Sequence, residues 1–188
     1  IEPYVSWAHL DIADGTFTRN TLWHNLVEFA MIETELNLEL HLMIDKVEEK
    51  IDHWFNPSVK RIIFHLGGSR DPGFVIDRCH KNKTEAGIAV SPDESIAQAL
   101  AYKNKADFFQ ILGVRPGLPG QKMDENTFER IKEVRKFCPS CIIEVDGGMN
   151  KDTIPKAISA GANIIVAASA IFNTGKNIKE SIEELQNV

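Results

Sequence analysis

The sequence predicts a parallel α/β barrel of the (β/α)8 type, with seven strand–helix units visible. Three observations lead to this fold class. Short apolar runs alternate regularly with longer amphipathic runs along the chain. The apolar runs are rich in Ile, Val, Leu and Phe, as expected for strands covered on both faces. Long loops rich in Gly and Pro follow such runs at 65–73, 113–123 and 146–148, on the face where barrels of this kind keep their active sites.

Each predicted strand leads into a predicted helix. Asn20 precedes the first helix and Ser91-Pro92 the fourth, and Gly161 suits the end of the sixth. The strands are expected at 4–10, 36–42, 60–65, 86–90, 107–112, 141–145 and 163–167. The helices are expected at 21–34, 46–54, 73–82, 94–104, 124–137, 151–160 and 176–187.

Seven units are one short of a closed barrel, which needs eight, usually in about 200 residues or more. Because the first strand starts close to position 1, the missing strand and helix are expected at the N-terminus. An open doubly wound sheet is the alternative, disfavoured because no glycine-rich dinucleotide turn follows the first strand. An unfilled gap would leave strands 4–10 and 163–167 with unpaired edges. We therefore expect either an upstream unit or a partner chain that covers the edges, and we expect a homo-oligomer.

Length and composition indicate a single domain over 1–188. The 21 Lys and Arg against 27 Asp and Glu give a formal charge of −6, and no basic, aromatic-interleaved stretch suggests nucleic acid. No apolar run approaches the roughly 20 residues of a membrane span. Three cysteines are too few for a disulfide scaffold, which favours a reducing, cytoplasmic setting. The spacing of Cys138 and Cys141 is that of a redox pair, but a plain helix-to-strand turn is the favoured interpretation.

Four potential metal ligands lie where predicted strands end: His9, Asp11, His41 and Asp146. Alternation along a strand sends residues 9 and 11 to the same side, and a parallel barrel brings strand ends together. Two imidazoles and two carboxylates suit one divalent ion such as Zn²⁺, Fe²⁺, Mn²⁺ or Co²⁺. A plain buried ion pair competes at His41, because Glu39 shares its face.

The same loops predict a phosphate cradle. Gly147-Gly148 and Ala168-Ser169 offer backbone N–H groups after two successive strands, and barrels often bind phosphate after their last two strands. The loop Gly117-Leu118-Pro119-Gly120 would close the site from a neighbouring strand. Met43 is interpreted as core filler or as an apolar wall above the ion. His65 also ends a strand, and a neutral histidine bonded within the core is its favoured interpretation.

Those residues resemble the ribulose-phosphate 3-epimerase family over essentially the whole chain, as an N-terminally shortened copy. The segment HLDIADGTFTRN is similar to the family's H-x-D-x-M-D-G-x-F-x-x-N, and LHLMI is similar to H-L-M-V. The segment VRPGLPGQKM is similar to P-G-F-G-G-Q-K-F. The last block, IEVDGGMNKDTIPKAISAGANIIVAASAIF, is similar to the family's D-G-G…A-G-A-[ND]…G-S-A-[IL]-F, and it is long and specific.

The resemblance implies a metal-dependent epimerase that inverts C3 of a ketopentose 5-phosphate through an enediolate. It implies that His9, Asp11, His41 and Asp146 hold the ion, and that Asp11 and Asp146 are also the acid–base pair on opposite faces of the substrate. Two proton carriers and one Lewis acid are what such an inversion needs. A small phosphosugar is the expected partner, with no nucleic acid and no membrane.

Five residues depart from the family pattern. Ala13 stands where the family has Met, and Leu112-Gly113 stands where it usually has Met-Ser. Pro119 replaces a loop glycine and has no N–H to offer a phosphate, and Ala168 replaces the Gly of Gly-Ser. These changes leave two alternatives open: an epimerase of another ketose phosphate, such as a hexulose 6-phosphate, or a barrel that binds a phosphosugar or a partner protein without turnover.

Overall fold

The computed structural model describes residues 1–117 and 121–188. Seven parallel strands form one sheet in chain order, and every strand pairs with its sequence neighbour. The predicted α/β class and seven strands are confirmed, with no strand end moved by more than three residues. The strands are β1 (Trp7–Ile12), β2 (Asn37–Leu42), β3 (Val59–His65), β4 (Glu85–Val90), β5 (Phe108–Leu112), β6 (Ile142–Asp146) and β7 (Ile164–Val166).

Helices connect the strands on the outer face of the sheet. They are α1 (Leu26–Ala30), α2 (Val47–Lys50), α3 (Pro72–Lys81), α4 (Ile96–Leu100), α5 (Thr127–Phe137), α6 (Ile154–Ala160), α7 (Ser169–Phe172) and α8 (Ile178–Gln186). Short 3₁₀ turns follow α2 and β3, at Ile51–Trp54 and Leu66–Gly68. Among the described residues no helix has the length and apolar character needed to cross a membrane.

The predicted first helix, 21–34, is wrong at both ends. The observed α1 starts after Asn25, whose side chain accepts hydrogen bonds from the backbone N–H groups of Val27 and Glu28, so Asn25 is the N-cap rather than Asn20. The Asn20 side chain instead donates to the Gly117 carbonyl oxygen at 3.2 Å. This contact ties the loop after β1 to the loop after β5, which a local pattern does not reveal.

Alternation along the strands divides the apolar side chains into two layers. The larger layer lies between the sheet and the helices, and the smaller lies inside the curved sheet, where Ile63, Ala89, Phe108 and Leu112 pack together. Gly87 is required there, because a Cβ at this position would meet the Phe108 ring at 2.4 Å. A polar row sits within the same interior, and it underlies the functional site.

The sheet is open between its first and last strands. In the described part of the chain, β1 pairs only with β2 and β7 pairs only with β6. All three residues of β7 are half-buried, whereas five of the six residues of β2 are buried. The predicted gap between these strands is therefore present in the structure.

The turn between α5 and β6 holds the cysteine pair. The predicted helix-to-strand turn is confirmed, but Cys138 and Cys141 are joined by a disulfide, which the low cysteine count did not suggest. Arg135 braces this turn by donating to the carbonyl oxygens of Pro139 and Cys141 at 2.7 and 2.8 Å. The bond lies at the start of β6, on the side of the sheet away from the strand ends that carry the predicted ligands.

Candidate active site

A cavity of about 430 Å³ opens at the carboxyl ends of the strands. Its lining comes from the ends of β1, β2 and β6 and from the loops after β5, β6 and β7. This is the face on which parallel barrels place their chemistry. Nine of the predicted site residues line it: Asp11, His41, Met43, Gly117, Asp146, Gly147, Gly148, Ala168 and Ser169.

The four predicted ligands come together beside this cavity, which Asp11, His41 and Asp146 line directly. His9, Asp11, His41 and Asp146 each place one ligand atom within 4.8 Å of the others. Oδ1 of Asp11 lies 2.9 Å from Nδ1 of His41 and 3.4 Å from Nε2 of His9. The sheet dictates this arrangement, because Asp11 pairs in register with His41 and Asp146 ends β6.

The chemistry of this set fits a divalent ion. Nε2 of His9 is buried and has no hydrogen-bond partner among the described residues, which is costly for a polar atom unless something binds it. Two nitrogen and two carboxylate donors are suited to Zn²⁺ and its borderline neighbours. His9, Asp11, His41 and Asp146 would therefore hold such an ion.

A second polar layer supports His9 from behind. Nδ1 of His9 lies 2.7 Å from Oε1 of Glu39, and Glu39 also pairs with Arg61 at 3.4 Å. A carboxylate at Nδ1 orients the ring and directs Nε2 outward, as second-layer carboxylates do for metal-binding histidines. The competing ion pair expected between Glu39 and His41 is thus made with His9 instead, through the register of β1 and β2.

Glu144 belongs to the same layer and was missed in the sequence. It is fully buried in β6, two residues before Asp146, and accepts a hydrogen bond from the Gln110 side chain at 2.9 Å. Burial, together with the nearby charge of Glu39, raises the pKa of Glu144 well above its usual value. An acidic residue in the middle of the apolar run CIIEVD was the available signal.

The two aspartates have opposite electrostatic surroundings. Burial alone would raise the pKa of Asp11, but its hydrogen bond with His41 and its close approach to His9 outweigh burial and hold this pKa far below its usual range. Burial raises the pKa of Asp146, and the charge of Asp11 adds to that effect. Two carboxyls whose pKa values are driven apart are typical of acid and base roles in one site.

His65 is tied directly to the ligand set. It is buried at the end of β3, and its Nε2 lies 2.9 Å from Nε2 of His41. Its favoured interpretation as a neutral core histidine agrees with its electrostatics, since burial and the neighbouring His41 lower its pKa well below the usual value. The identity of its hydrogen-bond partner was not foreseen, because it depends on the neighbouring strand.

The predicted phosphate residues Gly147, Gly148, Ala168 and Ser169 line the same cavity as Asp11 and His41. Gly147 and Gly148 both have positive φ, 95° and 76°, a conformation that favours glycine and exposes successive N–H groups. Ser169 begins the four-residue α7, directly after Ala168. The predicted Leu118, Pro119 and Gly120 lie outside the described residues.

The apolar wall is made by two side chains. Met43 and Leu112 are each only 2% exposed, and both line the cavity. Leu112 occupies one of the positions where the family pattern has Met, so an apolar surface is kept there with a different shape. Ala13 is fully buried. The cavity also has lining residues that the sequence did not single out as candidates: Leu22, Val114, Arg115, Met149, Phe172 and Asn173.

Comparison with known proteins agrees with this geometry. The family model for ribulose-phosphate 3-epimerases matches residues 2–172. The chain belongs to the ribulose-phosphate 3-epimerase family. It is 35% identical to ribulose-phosphate 3-epimerase of Chlamydia trachomatis, over 95% of this chain and 80% of that protein. It is 31% identical to the cytoplasmic isoform of rice, over 96% of this chain and 84% of that protein. Membership makes the chain an isomerase of the epimerase class.

Solved structures support the fold alone. Phosphoribosyl anthranilate isomerase from Thermococcus kodakaraensis superposes with a TM-score of 0.65 at 15% identity, over 99% of this chain and 89% of that one. A 3-hexulose-6-phosphate synthase gives 0.65 at 18% identity, over 81% and 73%. The expected barrel class is confirmed by these neighbours.

Proposed function

We propose that the chain catalyses the metal-dependent interconversion of D-ribulose 5-phosphate and D-xylulose 5-phosphate by inversion at C3. The observation that carries this proposal is the convergence of two imidazoles and two aspartates on one point beside a cavity that Gly147, Gly148, Ala168 and Ser169 also line. Family membership supports the reaction class. The metal, the two acid–base roles and the substrate are the proposal's own content.

Binding of the substrate uses the two walls of the cavity. The N–H groups of Gly147-Gly148 and the start of α7 at Ser169 would hold the phosphate, as oriented backbone dipoles do for anions. The reacting carbons then lie toward Asp11 and Asp146. Met43 and Leu112 would cover the reacting carbons with an apolar surface, which excludes water from a charge-bearing intermediate.

Proton transfer is divided between the two aspartates. Asp11 is ionised and would remove the C3 proton from one face of the substrate, giving an enediolate. Asp146, whose pKa is raised, would return a proton to C3 from the other face. The reverse reaction exchanges the two roles, and each transfer of this kind contributes roughly 10²–10⁴-fold. A divalent ion held by the four ligands would supply Lewis-acid stabilisation of the charge that develops on the oxygen atoms.

The decisive experiment follows C3 proton exchange and epimerisation of D-ribulose 5-phosphate by NMR in deuterated water. We expect exchange and product only with protein supplied with Zn²⁺, Mn²⁺, Fe²⁺ or Co²⁺, and none after chelation. A parallel assay on a hexulose 6-phosphate tests the alternative substrate. Metal-loaded protein that exchanges neither substrate would favour a non-catalytic binding barrel and would refute the proposal.

We further propose a cytoplasmic homo-oligomer. Support for the location comes from the rice relative, whose name places that protein in the cytoplasm. Support for association comes from the unpaired edges of β1 and β7, because exposed strand edges invite pairing with another chain. Sedimentation at several protein concentrations would test the second point, and a strict monomer would contradict it.

A further inference from the structure

The contact between His65 and His41 has the geometry of a directed hydrogen bond. Their Nε2 atoms are 2.9 Å apart, within the normal range for such a bond. The ring planes differ by 27° and the centroids are 5.1 Å apart, so the rings meet edge to edge. In that arrangement an N–H of one ring points along its own plane at the lone pair of the other, and a single proton fits between the two nitrogens.

His41 reaches the ligand set through its other nitrogen. Nδ1 of His41 is the atom that lies 2.9 Å from Asp11. A neutral imidazole carries one proton, and the nitrogen that binds a metal must be the bare one. Ligation through Nδ1 therefore requires the proton of His41 to be on Nε2, the atom that faces His65.

We propose that His65 is a positioning residue for the ion site: its Nε2 accepts the Nε2–H of His41 and so holds His41 in the tautomer that presents a bare Nδ1 beside Asp11. The inference rests on the proposed function, because it takes His41 as a metal ligand. It gives the two ligand histidines equivalent support, since Glu39 holds the rear nitrogen of His9 and His65 holds the rear nitrogen of His41.

The proton balance of the histidine pair makes the proposal specific. Without an ion, the short contact of Nδ1 with the ionised Asp11 places the proton of His41 on Nδ1, and His65 then donates from its Nε2. With an ion at Nδ1 of His41, the proton between the two Nε2 atoms is bonded to Nε2 of His41. The proton that the ion displaces from Nδ1 of His41 is then carried by Nδ1 of His65. Two neutral rings hold two protons in both states, so both rings change tautomer together.

His65 is well placed for this role and poorly explained by core packing alone. Its Nδ1 is buried without a hydrogen-bond partner among the described residues, so the bond to His41 is the one its ring makes there. Phe17, from the loop after β1, packs against the ring with centroids 4.6 Å apart. Asp11, which belongs to the ligand set, is the remaining charged group that affects the pKa of His65. A histidine needed only for volume would not be bonded to a ligand.

Two substitutions and one control separate positioning from packing. His65→Phe keeps a flat ring beside Phe17 but removes the acceptor. His65→Gln places an amide oxygen near the position of Nε2 and can still accept from His41. Ile63→Val is the control, because Ile63 is buried on the same face of β3 and pairs with His41 in the sheet, but its side chain has no hydrogen-bond acceptor.

The measurements are Zn²⁺ affinity by competition with a chromophoric chelator, and the ring tautomers by ¹⁵N-histidine NMR with and without Zn²⁺. We expect His65→Phe to weaken Zn²⁺ binding by roughly 10–100-fold, the usual cost of losing a second-layer partner. His65→Gln should recover most of the affinity, and Ile63→Val should match the wild type. In the wild type, His41 and His65 should both change tautomer when Zn²⁺ is added.

Wild-type affinity in folded His65→Phe would overturn the inference, as would a His41 ring that keeps its proton on Nδ1 in the zinc-loaded protein. If His65→Phe does not fold, the wild-type tautomers and the His65→Gln affinity still decide. Neither readout uses substrate. Protein that shows these tautomers without epimerising ribulose 5-phosphate would refute the proposed function and leave the inference standing. An active enzyme whose Zn²⁺ affinity does not change on substitution of His65 would refute the inference and leave the proposed function standing.

Discussion

The two walls of the cavity are built in different ways. The ion wall consists of side chains on paired strands, and His41 in it and Glu39 behind it are only 1% and 4% exposed. The phosphate wall consists of loop backbone at Gly147-Gly148 and Ala168-Ser169, next to the half-buried edge strand β7. Strand pairing fixes the first wall, although β1 is also an edge strand, whereas the second wall depends on the turns after β6 and β7. With the proposed roles, changes on the two walls should affect different measurements: turnover and ion binding for the first, and substrate affinity for the second.

The largest effect is expected from the aspartates of the ion wall. Asp11→Asn and Asp146→Asn should each lower kcat by at least roughly 10²–10⁴-fold, because each removes a proton carrier and weakens ion binding. The assay is NMR-monitored epimerisation of ribulose 5-phosphate with saturating Zn²⁺. Asp152→Asn, an exposed aspartate after β6, is the matched control and should retain wild-type turnover. Near-normal kcat in either site variant would rule out the two-carboxylate mechanism.

Ion binding should depend on pH through His9. Burial would lower the pKa of His9, but the close approach of Asp11, the hydrogen bond with Glu39 and the charge of Asp146 raise this pKa well above 6.5. A proton on this ring competes with the ion, so Zn²⁺ affinity should fall by about tenfold per pH unit as the pH drops below the raised pKa. In the metal-free protein the same proton stabilises the fold below pH 6.5, and this stabilisation is lost as the pH rises through the raised pKa.

Calorimetric titration with Zn²⁺ from about pH 6 to about pH 8 checks the sign. An affinity that does not change over this range would mean that His9 is not a ligand. Thermal unfolding of the chelated protein over the same range provides the second test, and a melting temperature that rises with pH would contradict the assignment to His9.

The support behind His9 should matter less than the ligands themselves. Glu39→Gln keeps an acceptor for Nδ1 of His9 but removes its charge, and we expect Zn²⁺ affinity to fall by about tenfold. Glu85→Gln is the matched control, because Glu85 is the other carboxylate paired with Arg61, at 2.7 Å, and is half-exposed. Equal losses in the two variants would assign the effect to Arg61 rather than to His9.

The smallest effect is expected on the phosphate wall. Ala168→Gly removes one methyl group beside α7, where the family pattern has glycine. We expect KM for ribulose 5-phosphate to fall by at most about tenfold, the lower range for one methyl group in a pocket, while kcat stays unchanged. Ala170→Gly, one position further into α7, is the control and should leave KM unchanged. A change in kcat without a change in KM would break the division between the two walls.

Much of the site followed from local pattern. Alternation placed His9 and Asp11 on one side of β1, and the end of a buried run placed Asp146 at the rim, because strand geometry has a fixed period of two. The glycine pair Gly147-Gly148 indicated an unusual backbone conformation at this loop, since a positive φ favours glycine. The parallel class followed from the alternation of apolar and amphipathic runs.

The remaining features depend on neighbours distant in sequence. The pairing of Glu39 with His9 and the bond between His65 and His41 depend on the register of β1, β2 and β3. The first helix began five residues later than predicted, because Asn25 is its N-cap and Asn20 instead contacts Gly117 in the loop after β5.

The sequence by itself determined the fold class, the strands that carry the candidate ligands and the residue types of the candidate ligand set. These features depend on residue type and on the periodicity of a single segment. Only the tertiary structure decided which nitrogen of each histidine faces the site and which buried carboxylates support the ligands. Those features are set by hydrogen bonds and burial between residues that are about 24 to 137 positions apart in the chain, and a one-residue change in register would alter all of them.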